Sequence, residues 1–195
     1  YRQTLEKYLS GMTPKKILRR PSPDTTPDWG QNLPPLLRRL YAARGVTSDD
    51  QLTYTLKHLA SPMDLRGVDR AVALLADAIT SQQRVLVLGD FDADGATSTA
   101  VAMLGLGMLG LNDIDFRVPS RFSDGYGLTP GIIHRLRDEG ALPDLLVTVD
   151  NGISAVEGVR AARELGIRVV VTDHHLAGET LPEADAIVNP NQPGC

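Results

Sequence analysis

With 195 residues, 42% hydrophobic and 23% charged, the chain has the composition of a soluble globular protein large enough for one good core plus an appendage. The lone cysteine, Cys195, excludes an internal disulfide framework and fits a reducing cytoplasm, and the longest apolar stretch, Ala100 to Leu111, is too short and too broken by glycine to span a membrane. The net charge of −4 is unevenly spread: Tyr1 to Val46 carries nine basic and three acidic residues, a net +6, against −10 for the remainder. An acidic body with a basic arm suits a cation-binding core that recruits a polyanion through its arm; charge alone fits a solvated, flexible terminus slightly better.

From Tyr1 to about Gly45 six prolines (Pro14, Pro21, Pro23, Pro27, Pro34 and Pro35) break any long helix, leaving short ones around Leu5 to Leu9 and Leu36 to Arg44. Ser48 to Leu59 has helical spacing, with Asp49 and Asp50 near its start. Val68 to Thr80 reads as an amphipathic helix with Val72, Leu75, Ala76 and Ile79 on its apolar side. The pattern then alternates. Strands are expected at Arg84 to Leu88, Ile114 to Val118, Leu145 to Val149, Ile167 to Thr172 and Ala186 to Val188. Helices are expected between them: Gly95 to Leu109, Thr129 to Glu139, and one opened by a capping box at Ser154 to Glu157 and closed near Gly166. The alternation predicts an α/β fold with a mostly parallel sheet flanked by helices over residues 81–195. A basic, partly helical and partly irregular N-terminal segment precedes it over residues 1–80.

Three of these strands end in acids: Asp90-Phe91-Asp92-Ala93-Asp94-Gly95, Asp150-Asn151-Gly152 and Asp173-His174-His175. In parallel α/β sheets, sites lie at the carboxyl ends of strands, so the three turns are expected to converge. Carboxylates crowded there repel one another unless cations intervene. Any one of these acids alone is adequately explained as a helix cap or a solvated turn residue. Five such acids and two histidines together on three strand ends are not. Carboxylates with one or two imidazoles, and no available cysteine, suit Mn2+ or Mg2+, with two ions bridged by a shared carboxylate. Two look-alikes fail. An EF-hand loop starting at Asp90 would need glutamate where Val101 stands, and Gly105 to Gly110 matches a dinucleotide fingerprint only as text, lying late in a helix where it should serve packing and termination. His58 and His134 fall in helical stretches away from the strand ends.

These residues resemble the DHH phosphoesterase superfamily, whose defining triplet stands here as Asp173-His174-His175. The ordered set of Gly89 to Gly95, Pro119 to Leu128 and Thr148 to Gly152 resembles its RecJ-type branch of exonucleases, as does the stretch around Ser61-Pro62-Met63. The resemblance implies 5′-to-3′ hydrolysis of single-stranded DNA, dependent on manganese or magnesium, in repair and recombination. Carried over position by position, it implies that Asp92, Asp94, Asp150 and His174 ligate metal and that Asp90 supports or joins them. It implies that His175 faces the scissile phosphate and that Asp173 orients a histidine. Arg121 and Tyr126 are expected to contact phosphate or shape the strand entrance.

The resemblance also implies a further aspartate ligand in a fourth motif and a carboxyl-terminal substrate-binding domain. Neither is seen before Cys195, and the setting of Asp185 looks like a strand start, so the chain is expected to be a fragment with little activity alone. Two other readings of the same core stay open: a phosphoesterase for short oligonucleotides or dinucleotides, and a scaffold that has lost its chemistry. The basic arm fits either single-stranded DNA or a protein partner such as a single-strand-binding protein. Deleting residues 1–46 from the intact protein distinguishes these. A loss of affinity for bare single-stranded DNA, with a strong salt dependence in the parent, marks direct contact, and unchanged affinity marks a protein partner.

Overall fold

The computed structural model describes Leu18 and residues 28–195; the expected helix at Leu5 to Leu9 and most of the basic arm lie outside the described residues. The chain divides into two compact units, Tyr1–Leu59 and Ala60–Cys195. In the first, helix α1 (Pro35–Ala42) starts on a proline, whose fixed φ and missing N–H suit a first helical turn. Asp49 Oδ1 accepts from Gly30 N at 2.8 Å, closing the loop between them. The helix expected over Ser48 to Leu59 is instead two short 3-10 turns, Asp49–Leu52 and Leu56–His58. Thr53 and Thr55 between them are extended, as β-branched residues favour.

The second unit is built on five parallel strands: β1 (Val85–Leu88), β2 (Ile114–Arg117), β3 (Leu145–Val149), β4 (Arg168–Thr172) and β5 (Ala186–Val188), in the order β2-β1-β3-β4-β5. Every residue of β1 and β3 is buried, which explains their unbroken apolar runs. Alternation sends Val85 and Val87 to one face and Leu86 and Leu88 to the other. The first face is covered by α2 (Val68–Thr80) and α3 (Ala93–Met108), through Leu74, Ala78 and Leu106. The second is covered by α4 (Pro130–Asp138) and α5 (Val156–Glu164), through Ile133, Leu136, Val159 and Ala162. No helix among the described residues is long and apolar enough to cross a membrane.

Three local expectations are corrected. The buried side of α2 is Ala71, Leu74 and Ala78, with Leu75 and Ile79 packed beside them; Val72 and Ala76 are exposed. The spacing 71, 74, 75, 78 is the helical repeat that faces the sheet, and it carries this helix into the core unit although the sequence reading grouped it with the leader. The capping box is not formed: α5 starts one residue late, its N-cap is Ala155, and Glu157 pairs with Arg160. Ala155 N is taken by Gly152 O, so a tight turn sets the helix start before Ser154 can cap it. Gly105 and Gly107 in α3 have open space at their Cβ positions and serve no packing; Gly110, at φ +97°, does follow the helix end.

Gly158 is where α5 lies against the chain leading into α4, and a Cβ there would meet Leu128 O at 2.2 Å. Gly158→Ala is therefore expected to lower stability by about 1–3 kcal/mol through overpacking. Gly105→Ala, in the open, is expected to raise it by about 0.5–1 kcal/mol. Thermal unfolding of the two variants beside the parent checks both signs.

Candidate metal centre

The sheet order reverses at β1: the chain leaves β1 toward β2 on one side and returns to β3 on the other. A crevice opens at the carboxyl ends of such a pair, and here the loops after β1 and β3 enter it, with the loop after β4 alongside. Asp90 leaves β1 buried, its Oδ1 accepting the Phe91 amide at 2.7 Å. Asp92 is exposed and caps α3, Oδ1 accepting from Gly95 N at 3.0 Å; that bond, with help from Asp150 and against desolvation, holds its carboxyl below the usual range. Asp150 follows β3 at φ +63°, a conformation that glycine, asparagine and aspartate tolerate best. Its amide still bonds Thr172 O at 3.0 Å, so the β3–β4 ladder fixes the turn. A Cβ on Gly152 would meet Thr148 Oγ1 at 2.4 Å, so the turn closes only on glycine.

Ligand atoms of Asp90, Asp92 and Asp150 lie within 4.8 Å of one another, and those of Asp150, His174 and His175 do the same. Asp150 belongs to both groups. Its Oδ1 meets His174 Nε2 at 2.8 Å, while its Oδ2 is buried with no hydrogen-bond partner among the described residues. Burial pushes its carboxyl up, with the Asp92 charge adding to the shift and His174 opposing it. A buried carboxylate oxygen without a donor is costly, and a cation satisfies it. The donor set therefore fits hard divalent cations.

Asp173 faces inward with a side chain only 1% exposed. Its Oδ1 accepts from the amides of His174 (2.7 Å) and His175 (3.0 Å) and from His175 Nδ1 (2.7 Å). Its Oδ2 accepts from Ile153 N at 2.9 Å. Burial alone would raise this carboxyl, but the amides of Ile153 and His175 and the His175 ring outweigh it and hold it low. The same contact holds the His175 imidazolium above the usual histidine range, burial opposing. Since a carboxylate only accepts, Nδ1 carries the hydrogen and Nε2 is turned to the crevice.

Tyr126 Oη stands 3.4 Å from His175 Nε2, and its ring meets Phe91 and His175 edge-on. Burial, then the charges of Asp90 and Asp173, push its phenol far up, so the hydroxyl keeps its proton. The Arg121 guanidinium lies 4.2 Å from the Phe91 ring centroid. Asp124 clasps this loop: it accepts from Ser120 N at 2.7 Å and pairs with Arg135, which chiefly holds its carboxyl low. Of the residues singled out from sequence, Asp90, Asp92, Asp150, His174 and His175 converge, Asp173 stands behind them, and Arg121 and Tyr126 flank them. Asp94 lies exposed on the first turn of α3 and offers no oxygen to either group.

Sequence reasoning missed three asparagines. Asn151, fully buried, donates to Leu88 O (3.1 Å) and Val149 O (3.0 Å), stitching the ends of β1 and β3 together. Asn189, also fully buried, donates to His175 O at 3.0 Å, and Asn191 donates to His174 O. The string Asn189 to Cys195 reads as a loop; the available signal was an asparagine directly after a predicted strand.

Because the Asp173 carboxyl lies low in the folded state, the stability it lends is complete above the unfolded value of about 3.9 and is lost as pH falls through the folded value. Asp173→Asn is expected to cost about 1–3 kcal/mol at neutral pH, by setting an amide NH2 against N–H donors, and to flatten the acid limb of the melting-temperature profile below about pH 4. An unchanged acid limb would contradict this role.

The model of the DHH family, N-terminal domain, matches residues 84–195. The chain is 53% identical over 178 residues to the single-stranded-DNA-specific exonuclease RecJ of Escherichia coli (strain K12), covering 91% of this chain and 30% of that protein. It is 35% identical over 184 residues to the protein of the same name from Bacillus subtilis (strain 168), covering 91% and 23%. It thus spans about a third or less of the length of these curated relatives. A crystal structure of exonuclease RecJ bound to manganese superposes with a TM-score of 0.61 at 37% identity, covering 70% of this chain and 34% of that one. RecJ from Thermus thermophilus in complex with Mn2+ gives 0.57 at 33%, covering 82% and 22%. The match over residues 84–195 takes in all five parallel strands and the three strand-end turns: the chain belongs to the DHH family.

Proposed function

We propose that the protein is a metal-dependent phosphodiesterase that digests single-stranded DNA from its 5′ end in repair and recombination. The observation that carries this reading is the pair of ligand groups sharing Asp150, whose second buried oxygen has no partner among the described residues. The likeness to relatives named as single-stranded-DNA-specific exonucleases supports the substrate, and the manganese in their structures supports the cofactor. Asp90, Asp92, Asp150 and His174 hold Mn2+ or Mg2+, two ions in the full site; Asp94 joins them by family resemblance alone. Bound there, the ions supply a nucleophilic water at neutral pH and offset charge on the phosphate. Asp173 holds His175 so that Nε2 faces the scissile phosphate, the Tyr126 hydroxyl standing beside it. Arg121, braced on Phe91, meets a neighbouring phosphate at the strand entrance. A cytoplasmic setting and a single-strand-binding protein as partner complete the proposal.

The test uses the intact protein with 5′-labelled single-stranded DNA, duplex DNA and a dinucleotide, with manganese and with chelator. Metal-dependent loss of the long single strand is expected, abolished in Asp150→Ala and reduced at least about 100-fold in Asp94→Ala if that residue ligates metal. Cleavage of the dinucleotide alone would replace this reading with a small-substrate phosphoesterase, and cleavage of nothing would replace it with a scaffold.

A further inference from the structure

We propose that the cavity beside His175 is a nucleoside subsite that accepts the base and sugar next to the scissile phosphate only when that base is unpaired and unstacked. This deepens the phosphodiesterase reading, on which it rests, by locating the origin of single-strand selectivity. The cavity, of about 570 Å³, lies between the chain entering α4 and the turn entering α5, and Asp173 and His175 form part of its lining. It is therefore continuous with the candidate metal centre. Its volume falls within the roughly 300–1,000 Å³ of small-molecule pockets.

The lining identifies the occupant. Its one basic side chain is His175, assigned above to the scissile phosphate; with no lysine or arginine beside it and with Asp173 and Glu157 as acids, the rest of the lining suits the neutral part of a nucleotide. Leu128, Ile153 and Val156 supply apolar walls, and Tyr126, half-exposed at 53%, supplies an aromatic surface of the kind on which bases stack without regard to sequence. Thr129 makes no side-chain cap bond to α4 and Ser154 is exposed, so hydroxyls are at hand for a sugar or a base edge. A base held in a duplex is stacked and paired, and enters such a cavity only by leaving both neighbours.

The experiment compares the intact protein on single-stranded oligonucleotides with ordinary bases and on otherwise identical strands carrying a tetrahydrofuran abasic residue at the first or second position. One abasic strand is expected to show a KM about tenfold higher or more. Ser154→Trp, which fills the cavity from an exposed position, is expected to raise KM for the ordinary strand by a similar factor and to erase the difference between strands. An unchanged melting temperature in that variant separates filling of the cavity from misfolding. Equal KM values for ordinary and abasic strands in the parent, or a Ser154→Trp protein that keeps the discrimination, would overturn the subsite. A parent that cuts neither strand would instead overturn the phosphodiesterase reading beneath it.

Discussion

The site depends on one constraint: a carboxylate must be buried at a strand end where other carboxylates already crowd. Asp150 meets it at some cost. It stands at φ +63°, its ligand atoms lie within 4.8 Å of those of Asp90 and Asp92, and one of its oxygens has no donor among the described residues. Strain of this kind amounts to roughly 1–3 kcal/mol and persists where the surroundings over-determine it. Here they do, because the Asp150 amide is bonded into β4 and Asn151 bonds backbone carbonyls at the ends of β1 and β3.

The histidine turn is held by the opposite device. Asp173 takes no part in the two ligand groups, and its oxygens are saturated by three backbone amides and one imidazole. Asn189 and Asn191 secure the turn from the other side through its carbonyls. Both histidines project from a backbone fixed at N–H and C=O alike, while their rings remain about half-exposed toward solvent. One carboxylate left wanting and one fully satisfied, on adjacent strands, is the difference expected between a carboxylate that would hold a cation and one that orients a histidine.

Much of this is legible in residues. The strands announce themselves as valine and leucine runs because a sheet covered on both faces has no polar side to interrupt them. The strand-end acids stand out because three of the five strands, β1, β3 and β4, repeat the pattern. What misled the reading is equally specific. Val72 and Ala76 sit on an apolar-looking stripe of α2, yet the sheet is met by the stripe one step over, through Ala71, Leu74 and Ala78. Ser154 to Glu157 has the letters of a capping box, but the Gly152 turn starts the helix elsewhere. Ser48 to Leu59 has helical spacing without the propensity to sustain it across Thr53 and Thr55.

The sequence by itself determined the fold class, the family and the candidate ligands, because apolar period and residue chemistry are local properties that survive without coordinates. Only the tertiary structure decided which acids meet. Asp92 and Asp94 are two apart on the chain, but Asp92 caps α3 from extended backbone whereas Asp94 lies on its first turn, and only Asp92 brings an oxygen close to Asp150. Only the tertiary structure showed that Asn189 and Asn191 hold the histidine turn, since those bonds join residues 14 or more apart through a pairing of β4 with β5 that no local pattern encodes.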